Sequence, residues 1–141
     1  MVSGELIMTS LENKHIFVVE DHMENQLITR LALEDTGAKL RFESWGQETI
    51  KRLREFMPVN LILMDLMLPK GLTGYDIFDV IRTKPEFDHI PIIAVSAADS
   101  SIAIPKCQKR GFAGFIAKPI DEELFPNQLL DVLNGNAVWY D

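Results

Sequence analysis

Three short runs of this chain are apolar at every position: Ile-Phe-Val-Val at 16–19, Leu-Ile-Leu-Met at 61–64 and Ile-Ile-Ala-Val at 92–95. A strand with one face in water alternates apolar and polar residues, whereas a parallel strand covered by helices on both faces does not alternate. The three runs therefore predict a parallel sheet that is buried between two layers of helices.

Five apolar runs recur along the chain, and each is followed by a segment with helical spacing of its apolar residues. The runs predict strands at 15–19, 39–42, 61–64, 91–95 and 114–117. The intervening segments predict helices at 24–35, 46–56, 75–84, 105–110 and 123–133. Gly37 and Gly111 stand where helix C-terminal caps are expected. The pattern indicates an α/β fold with right-handed crossovers, which place helices on both faces of the sheet.

The 141 residues are enough for one domain with its own core. We expect an N-terminal extension over 1–13, the domain over 14–134 and a tail over 135–141. Cys107 is the single cysteine, and neither a signal-peptide pattern nor a membrane-span length is present, which favours a cytoplasmic protein. The net charge of −7 disfavours binding to nucleic acid or to an anionic membrane, so a protein or a cation fits better as partner.

Polar residues follow four of the predicted strands. Glu20 and Asp21 end the first strand, Asp65 the third, Ser96 the fourth and Lys118 the fifth. In open parallel sheets, ligands bind beyond the carboxyl ends of the strands. These side chains are therefore expected to meet in one site.

Three carboxylates in one site repel one another by roughly 3 kcal/mol per pair at about 5 Å and an effective dielectric of about 20. A hard divalent cation offsets this repulsion, and oxygen ligands favour Mg²⁺ over Zn²⁺. Lys118 adds a fixed positive charge. The set predicts a site that holds a phosphoryl group beside a nucleophilic carboxylate, Asp65.

Four segments (16–21, 61–69, 90–97 and 114–119) carry these residues in order, with Asp21 and Asp65 44 residues apart and Ser96 and Lys118 22 apart. In this the chain resembles response-regulator receiver domains over about residues 14–134. The resemblance implies a flavodoxin-like, doubly wound sheet of five parallel strands in the order 2-1-3-4-5. It also implies a phosphoacceptor signalling domain, not an enzyme with a separate substrate.

The resemblance assigns a role to each site residue. Asp65 is similar to the aspartate that takes a phosphoryl group from a phosphohistidine on a sensor histidine kinase or a histidine phosphotransfer protein. Glu20, acting through water, and Asp21 resemble the Mg²⁺-binding pair, and the Met67 backbone carbonyl resembles a further ligand.

Three further roles follow from the same resemblance. Ser96 resembles the hydroxyl residue that hydrogen-bonds the phosphoryl group, and Lys118 the lysine that pairs with it, followed by a cis bond to Pro119. Phe115 matches the aromatic switch position. The phosphorylated form is then expected to bind a downstream protein target.

Two features depart from the family pattern. Pro105 is poorly placed inside a helix, so the fourth helix is predicted to begin there, with 102–104 in a loop beside the surface that receivers use for output and for homodimers. Met67 and Ala98 flank the expected path of attacking water and cannot orient it by hydrogen bonding, which predicts slow self-dephosphorylation.

Two other functions remain open from the residues. One is a protein-binding module that works without phosphate through the altered fourth-helix region. The other is a Mg²⁺-dependent phosphohydrolase, although Met67 stands where haloacid-dehalogenase-type enzymes place an acid-base aspartate. The histidines 15, 22 and 89 lack ligand spacing and are interpreted as surface or packing residues, with His22 close enough to the acidic pair to influence access.

Overall fold

The computed structural model describes residues 7–44, 46 and 48–141, so the first six residues of the predicted extension, and Gln47 of the predicted second helix, lie outside the described part. Within it, six strands form one sheet. The strands are β1 (His15–Val19), β2 (Lys39–Glu43), β3 (Leu61–Met64), β4 (Ile92–Ser96), β5 (Gly114–Ala117) and β6 (Val138–Tyr140).

Five α-helices connect the strands in the described part of the chain. They are α1 (Met23–Leu33), α2 (Thr49–Phe56), α3 (Gly74–Arg82), α4 (Ser100–Arg110) and α5 (Phe125–Leu133). Short 3₁₀ turns occupy Glu34–Thr36 and Pro85–Phe87. The predicted C-terminal caps are confirmed, since Gly37 and Gly111 both have left-handed backbone conformations with φ of 77° and 98°.

The sheet is parallel throughout, in the order β2-β1-β3-β4-β5-β6. The predicted doubly wound α/β fold and the order 2-1-3-4-5 are confirmed for the first five strands. The predicted count of five is one too few, because β6 pairs with the outer edge of β5. Gly114 allows this approach, since a Cβ there would lie 2.7 Å from Val138 Cγ2.

Successive residues of each central strand point to opposite faces of the sheet, and both faces are covered. In β1, Phe17 and Val19 pack into one core cluster, and Ile16 and Val18 into the other. The first cluster lies under α2, α3 and α4, and the second lies under α1 and α5. This two-sided burial is the physical reason that the central runs are wholly apolar.

The prediction that the fourth helix begins at Pro105 is wrong, because α4 begins at Ser100 and Pro105 lies inside it. Proline removes one helical hydrogen bond. Asp99 offsets this loss as the N-cap: its Oδ1 accepts a hydrogen bond from the Ser101 amide at 3.0 Å. The first turns also bury Ala103 and pack Ile104 on the core, so residues 102–104 are helical and do not form a loop.

Candidate functional site

Three of the predicted site residues, Glu20, Asp65 and Lys118, lie one position beyond a strand, where the backbone is still hydrogen-bonded to the neighbouring strand. The Asp65 amide donates to the Val19 carbonyl at 3.0 Å, and the Lys118 amide donates to the Ser96 carbonyl at 3.0 Å. The Glu20 amide makes the same kind of bond to β2. Adjacent strands therefore deliver these side chains to one edge of the sheet with little backbone freedom.

Three carboxylates and one imidazole meet at this edge. Each of Glu20, Asp21, His22 and Asp65 offers a ligand atom, and these atoms all lie within 4.8 Å of one another. Glu20 and Asp65 are each only 4% exposed. Burial of neighbouring carboxylates in this way is costly unless a cation or hydrogen-bond donors compensate.

Lys118 supplies part of that compensation. Its Nζ donates to Asp65 Oδ2 at 3.0 Å and also to Glu20 Oε1, and only 15% of its side chain is exposed. One ammonium against three carboxylates leaves two negative charges in excess. The cluster is therefore suited to a divalent cation.

Asp21 has a buried carboxylate oxygen that no hydrogen-bond donor of the described residues satisfies. Its Oδ1 is buried and has no hydrogen-bond partner in the described structure, although the His22 Nδ1 lies 3.3 Å away in poor hydrogen-bond geometry. A buried oxygen without a donor is costly, and a bound cation would satisfy it. The oxygen-rich donor set thus fits Mg²⁺.

The loop after β3 holds the Asp65 side chain. The Met67 amide donates to Asp65 Oδ1 at 3.1 Å, and the loop closes through an isolated bridge between Met67 and Thr73. Gly74 then passes so near the strand end that a Cβ would lie 2.8 Å from the Leu66 Cα. Only glycine fits there without moving the backbone of Asp65 and Leu66.

Ser96 and Phe115 are both fully buried, but they occupy different positions along their strands. The Ser96 hydroxyl oxygen accepts a hydrogen bond from the Ala98 amide at 3.2 Å, at the end of β4. Phe115 is fully buried inside β5, in register with Ala94 on one side and Trp139 on the other. The structure therefore places Ser96 at the site edge and Phe115 in the core beneath α4. The bond from Lys118 to Pro119 is cis, as predicted.

A mostly apolar groove of about 280 Å³ adjoins the site. Lys118 forms one wall, and the rest is formed by residues of α1, of the end of β4 with the residue after it, and of the loop after β5. Four apolar side chains of α1, on the same side of the sheet, are exposed: Met23, Leu27, Ile28 and Leu31. The site is therefore bordered by a surface that can contact another macromolecule.

Two titratable groups between α3 and α4 have altered proton affinities. Burial raises the pKa of the Cys107 thiol to about 11. Burial also raises the pKa of Tyr75 to about 12, and the neighbouring Cys107 adds to that shift. Because Tyr75 follows Gly74, this pair joins the Asp65 loop to α4.

Sequence reasoning found one feature of the site in part and missed another. His22 was interpreted as a surface or packing residue close enough to the acidic pair to influence access; its side chain is 68% exposed, and its ring lies against that pair as a possible metal ligand. Gly74 was not singled out, although it packs on the Asp65 backbone. The adjacency of His22 to Glu20 and Asp21 was the signal available for the first, and no local signal identified the second.

His15 and His89 are packing and surface residues, as the sequence predicts. The His15 ring stacks on Phe56 with 4.4 Å between ring centroids, and His89 is exposed. Within the described residues, no helix is long and apolar enough to cross a membrane.

Comparison with known proteins matches most of this chain to one protein family. The family model described as the response regulator receiver domain matches residues 16–130. The polar-differentiation response regulator DivK of Brucella ovis is 31% identical over 112 residues, which cover 79% of this chain and 89% of DivK.

The signal transduction histidine-protein kinase BarA of Escherichia coli is 29% identical over 123 residues, which cover 87% of this chain. The matched segment is only 13% of the length of BarA. Among solved structures, the Vibrio cholerae chemotaxis protein CheY4 has a TM-score of 0.77 at 19% identity, covering 85% of this chain and 98% of that protein. At that identity the likeness supports the fold alone.

Proposed function

We propose that this chain, which belongs to the family of response regulator receiver domains, accepts a phosphoryl group on Asp65 and thereby switches its binding to another protein. The observation that carries the proposal is the position of Asp65: 4% exposed, at the end of β3, with one oxygen held by Lys118 and the other by the Met67 amide. A carboxylate oriented from both sides is prepared for in-line attack.

The transfer step exchanges one bond for another. A carboxylate oxygen of Asp65 forms a bond to phosphorus as the phosphorus–nitrogen bond of a donor phosphohistidine breaks, and the electron pair stays on the imidazole nitrogen. Lys118, already 3.0 Å from Asp65 Oδ2, can follow the developing negative charge onto the phosphoryl oxygens. The product is an acyl phosphate on Asp65.

Magnesium is the cofactor that this donor set supports. Asp21, Asp65 and the Met67 carbonyl would hold the ion directly, with Glu20 acting through water. When bound, the ion neutralises negative charge on the carboxylates and on the incoming phosphoryl group. The orphaned Asp21 Oδ1 supports this assignment.

The altered charge at Asp65 would be sensed by Ser96. In the unmodified protein the Ser96 hydroxyl accepts from the Ala98 amide, and as a donor it can turn toward a phosphoryl oxygen. A charge-assisted hydrogen bond of this kind contributes about 1.5–3 kcal/mol. Movement of the β4–α4 loop would then let Phe115 repack beneath α4, which changes the surface offered to a downstream protein.

The donor is expected to approach over α1. Met23 is 82% exposed and Leu27 53% exposed, so both offer apolar area beside the acidic pair. The groove next to Lys118 continues that surface toward the loop after β5. A sensor histidine kinase or a histidine phosphotransfer protein could therefore bring its phosphohistidine to Asp65 without entering the core.

The acyl phosphate is expected to be long-lived. Met67 is 59% exposed next to Asp65, and Ala98 adjoins Ser96, to which its amide donates. Neither side chain can hydrogen-bond an attacking water. Rapid loss of phosphate that Met67→Asn leaves unchanged would contradict this expectation.

Phosphorylation is tested with acetyl phosphate or beryllofluoride in the presence of Mg²⁺. Intact-mass spectrometry should detect one phosphoryl group in the wild type and none in Asp65→Asn. Amide NMR shifts should change around Ser96 and Phe115 in the wild type only. Asp131→Asn, an exposed carboxylate on α5 outside the cluster, is the matched control and should behave as the wild type.

The two alternatives make different predictions in the same experiment. A protein-binding module that works without phosphate would give no adduct and would bind its partner equally in the wild type and in Asp65→Asn. A phosphohydrolase would release phosphate over many turnovers. Either result would contradict the proposed function.

A further inference from the structure

His22 places an imidazole nitrogen among the carboxylates of the acidic cluster. Its Nδ1 lies 3.3 Å from Asp21 Oδ1 and 3.6 Å from Glu20 Oε2. The His22 backbone amide also donates to Glu20 Oε2 at 3.1 Å, which fixes the residue against the acidic pair. The backbone of His22 is therefore held against the acidic pair, while 68% of its side chain stays in solvent.

These separations match those between two ligands of one metal ion. Ligand atoms about 2.1 Å from a Zn²⁺ ion lie about 3.0 Å apart at a right angle and about 3.4 Å apart at a tetrahedral angle. The 3.3 Å between His22 Nδ1 and Asp21 Oδ1 lies within that range, and the 3.6 Å to Glu20 Oε2 lies just outside it, which agrees with Glu20 acting through water. Nδ1 can thus join the Asp21 carboxylate around one ion without a large movement.

We propose that His22 is an additional ligand, which makes this a mixed nitrogen–oxygen site that binds Zn²⁺ much more tightly than Mg²⁺. The proposal rests on the metal site of the proposed function. Carboxylate and water ligands suit Mg²⁺, whereas an imidazole nitrogen favours later first-row ions such as Zn²⁺. The ring contributes little to the affinity for Mg²⁺, so it changes the selectivity between the two metals.

The contacts between His22 and the acidic pair also have an electrostatic explanation. A protonated His22 would act as a fixed cation beside Asp21 and would compete with every divalent ion. In that case, removal of the ring should strengthen Mg²⁺ and Zn²⁺ binding together. If His22 is a ligand, removal of the ring should instead weaken Zn²⁺ binding. One pair of titrations therefore distinguishes the two explanations.

The affinities of Zn²⁺ and Mg²⁺ are measured by calorimetric titration of the wild type, His22→Ala and His89→Ala. We expect His22→Ala to weaken Zn²⁺ binding by about tenfold or more, the loss typical of groups that tune a metal site. Mg²⁺ binding should change by less than about threefold. His89→Ala removes an exposed imidazole far along the chain and should leave both affinities unchanged.

A direct readout comes from the imidazole nitrogens. The chain has three histidines, so a long-range ¹H–¹⁵N spectrum of the rings can be assigned with the two variants and His15 by elimination. Stoichiometric Zn²⁺ should shift Nδ1 of His22 and leave the His15 and His89 rings in place. An unshifted His22 ring, or equal effects of His22→Ala on both metals, would overturn the proposal.

This test is independent of phosphorylation. If His22 fails to shift but Asp65 still gains a phosphoryl group with Mg²⁺, the selectivity inference is wrong and the proposed function stands. If neither metal binds, and Asp21→Asn changes nothing in the titrations, the metal site itself is contradicted.

Discussion

Lys118 Nζ lies 3.0 Å from Asp65 Oδ2 and also hydrogen-bonds Glu20, so a single ammonium holds together two carboxylates that are almost fully buried. These carboxylates come from β3 and from the end of β1, and the lysine from the end of β5. The ion pairs therefore join three strands of the sheet at its functional edge.

Lys118→Met should destabilise the protein, because it removes the charge while nearly preserving the apolar stem of the side chain. Two buried carboxylates then lose their common partner, and removal of one partner of a buried ion pair costs about 3–5 kcal/mol. We expect the free energy of unfolding at pH 7 to fall by about 3 kcal/mol in urea denaturation. Phosphorylation by acetyl phosphate should also be lost or strongly slowed.

Mg²⁺ should rescue part of this loss, since a bound cation replaces the missing charge. The rise in melting temperature on adding Mg²⁺ is expected to be larger for Lys118→Met than for the wild type. Lys109→Met, an exposed lysine on α4, is the control and should change stability by less than about 0.5 kcal/mol. Equal stability of the two variants would contradict the role assigned to Lys118.

Gly74→Ala should displace the Asp65 loop. The added Cβ would meet the backbone of Asp65 and Leu66, which cannot move as a flexible side chain can. We expect a loss of about 3 kcal/mol in the free energy of unfolding. A shift of about 1 Å in Asp65 can slow a reaction by about 100-fold, so the phosphorylation rate should fall as well.

Gly71→Ala separates this steric effect from backbone strain in the same loop. Gly71 has φ of 75°, but nothing lies within 4 Å of its would-be Cβ. Its cost should be about 1 kcal/mol, with the phosphorylation rate nearly unchanged. If both alanine variants phosphorylate at the wild-type rate, Gly74 does not position Asp65.

Pro105→Ala should stabilise the protein, because it restores the hydrogen bond to the Ser101 carbonyl that proline cannot make. Pro105 is exposed, so little packing is lost. We expect a gain of about 2 kcal/mol in the free energy of unfolding and slower amide exchange in the first half of α4. Pro126→Ala is the control: Pro126 lies in the first turn of α5, where its amide has no helical partner, and no gain is expected.

The central strands β1, β3 and β4 could be predicted from the sequence because burial on both faces imposes a run of apolar residues. Leu61–Met64 is an example in which all four residues are buried, and its predicted bounds are those observed. The start of α4 could not, since the local penalty of Pro105 is outweighed by the Asp99 cap and by tertiary burial of Ala103. The penalty of a single proline does not predict where this helix begins, because burial against residues distant in sequence also contributes.

The site divides in a similar way. Residues placed by the ends of the strands could be predicted, whereas contacts that depend on side-chain geometry could not. Positions at strand ends located Asp65 and Lys118, since parallel strands bring their carboxyl ends to one edge. The bridge from Lys118 to Glu20 and the position of the His22 ring depend on side-chain geometry. β6 was missed because three residues carry too little periodicity, and its pairing depends on Gly114.

Gly114→Ala should therefore loosen β6 and leave the rest of the sheet intact. Its Cβ would contact Val138, which pairs with Gly114 in the parallel ladder. Hydrogen exchange at the amides of β6 should accelerate by about tenfold, equivalent to about 1.4 kcal/mol of local stability, while β3 stays protected. Uniform acceleration throughout the sheet would indicate that β6 is not a separate unit.

Cys107 gives the protein a pH dependence at alkaline pH. The thiol is fully buried in α4, and its pKa is raised to about 11 from an ordinary value near 9. The folded state thus keeps the proton more tightly than the unfolded chain does. The resulting stability is fully present below about pH 9 and is lost as the pH rises through 11.

The measurement is the free energy of unfolding from urea titrations at several pH values between 8 and 11, for the wild type and Cys107→Ala. The variant should be less stable at pH 8 because it leaves a small cavity, but its stability should fall less steeply with pH. Tyr75 shifts in the same direction, to about 12, so some alkaline loss remains in the variant. Parallel curves for the two proteins would mean that the buried thiol does not ionise on unfolding, because only its proton affinity distinguishes their slopes.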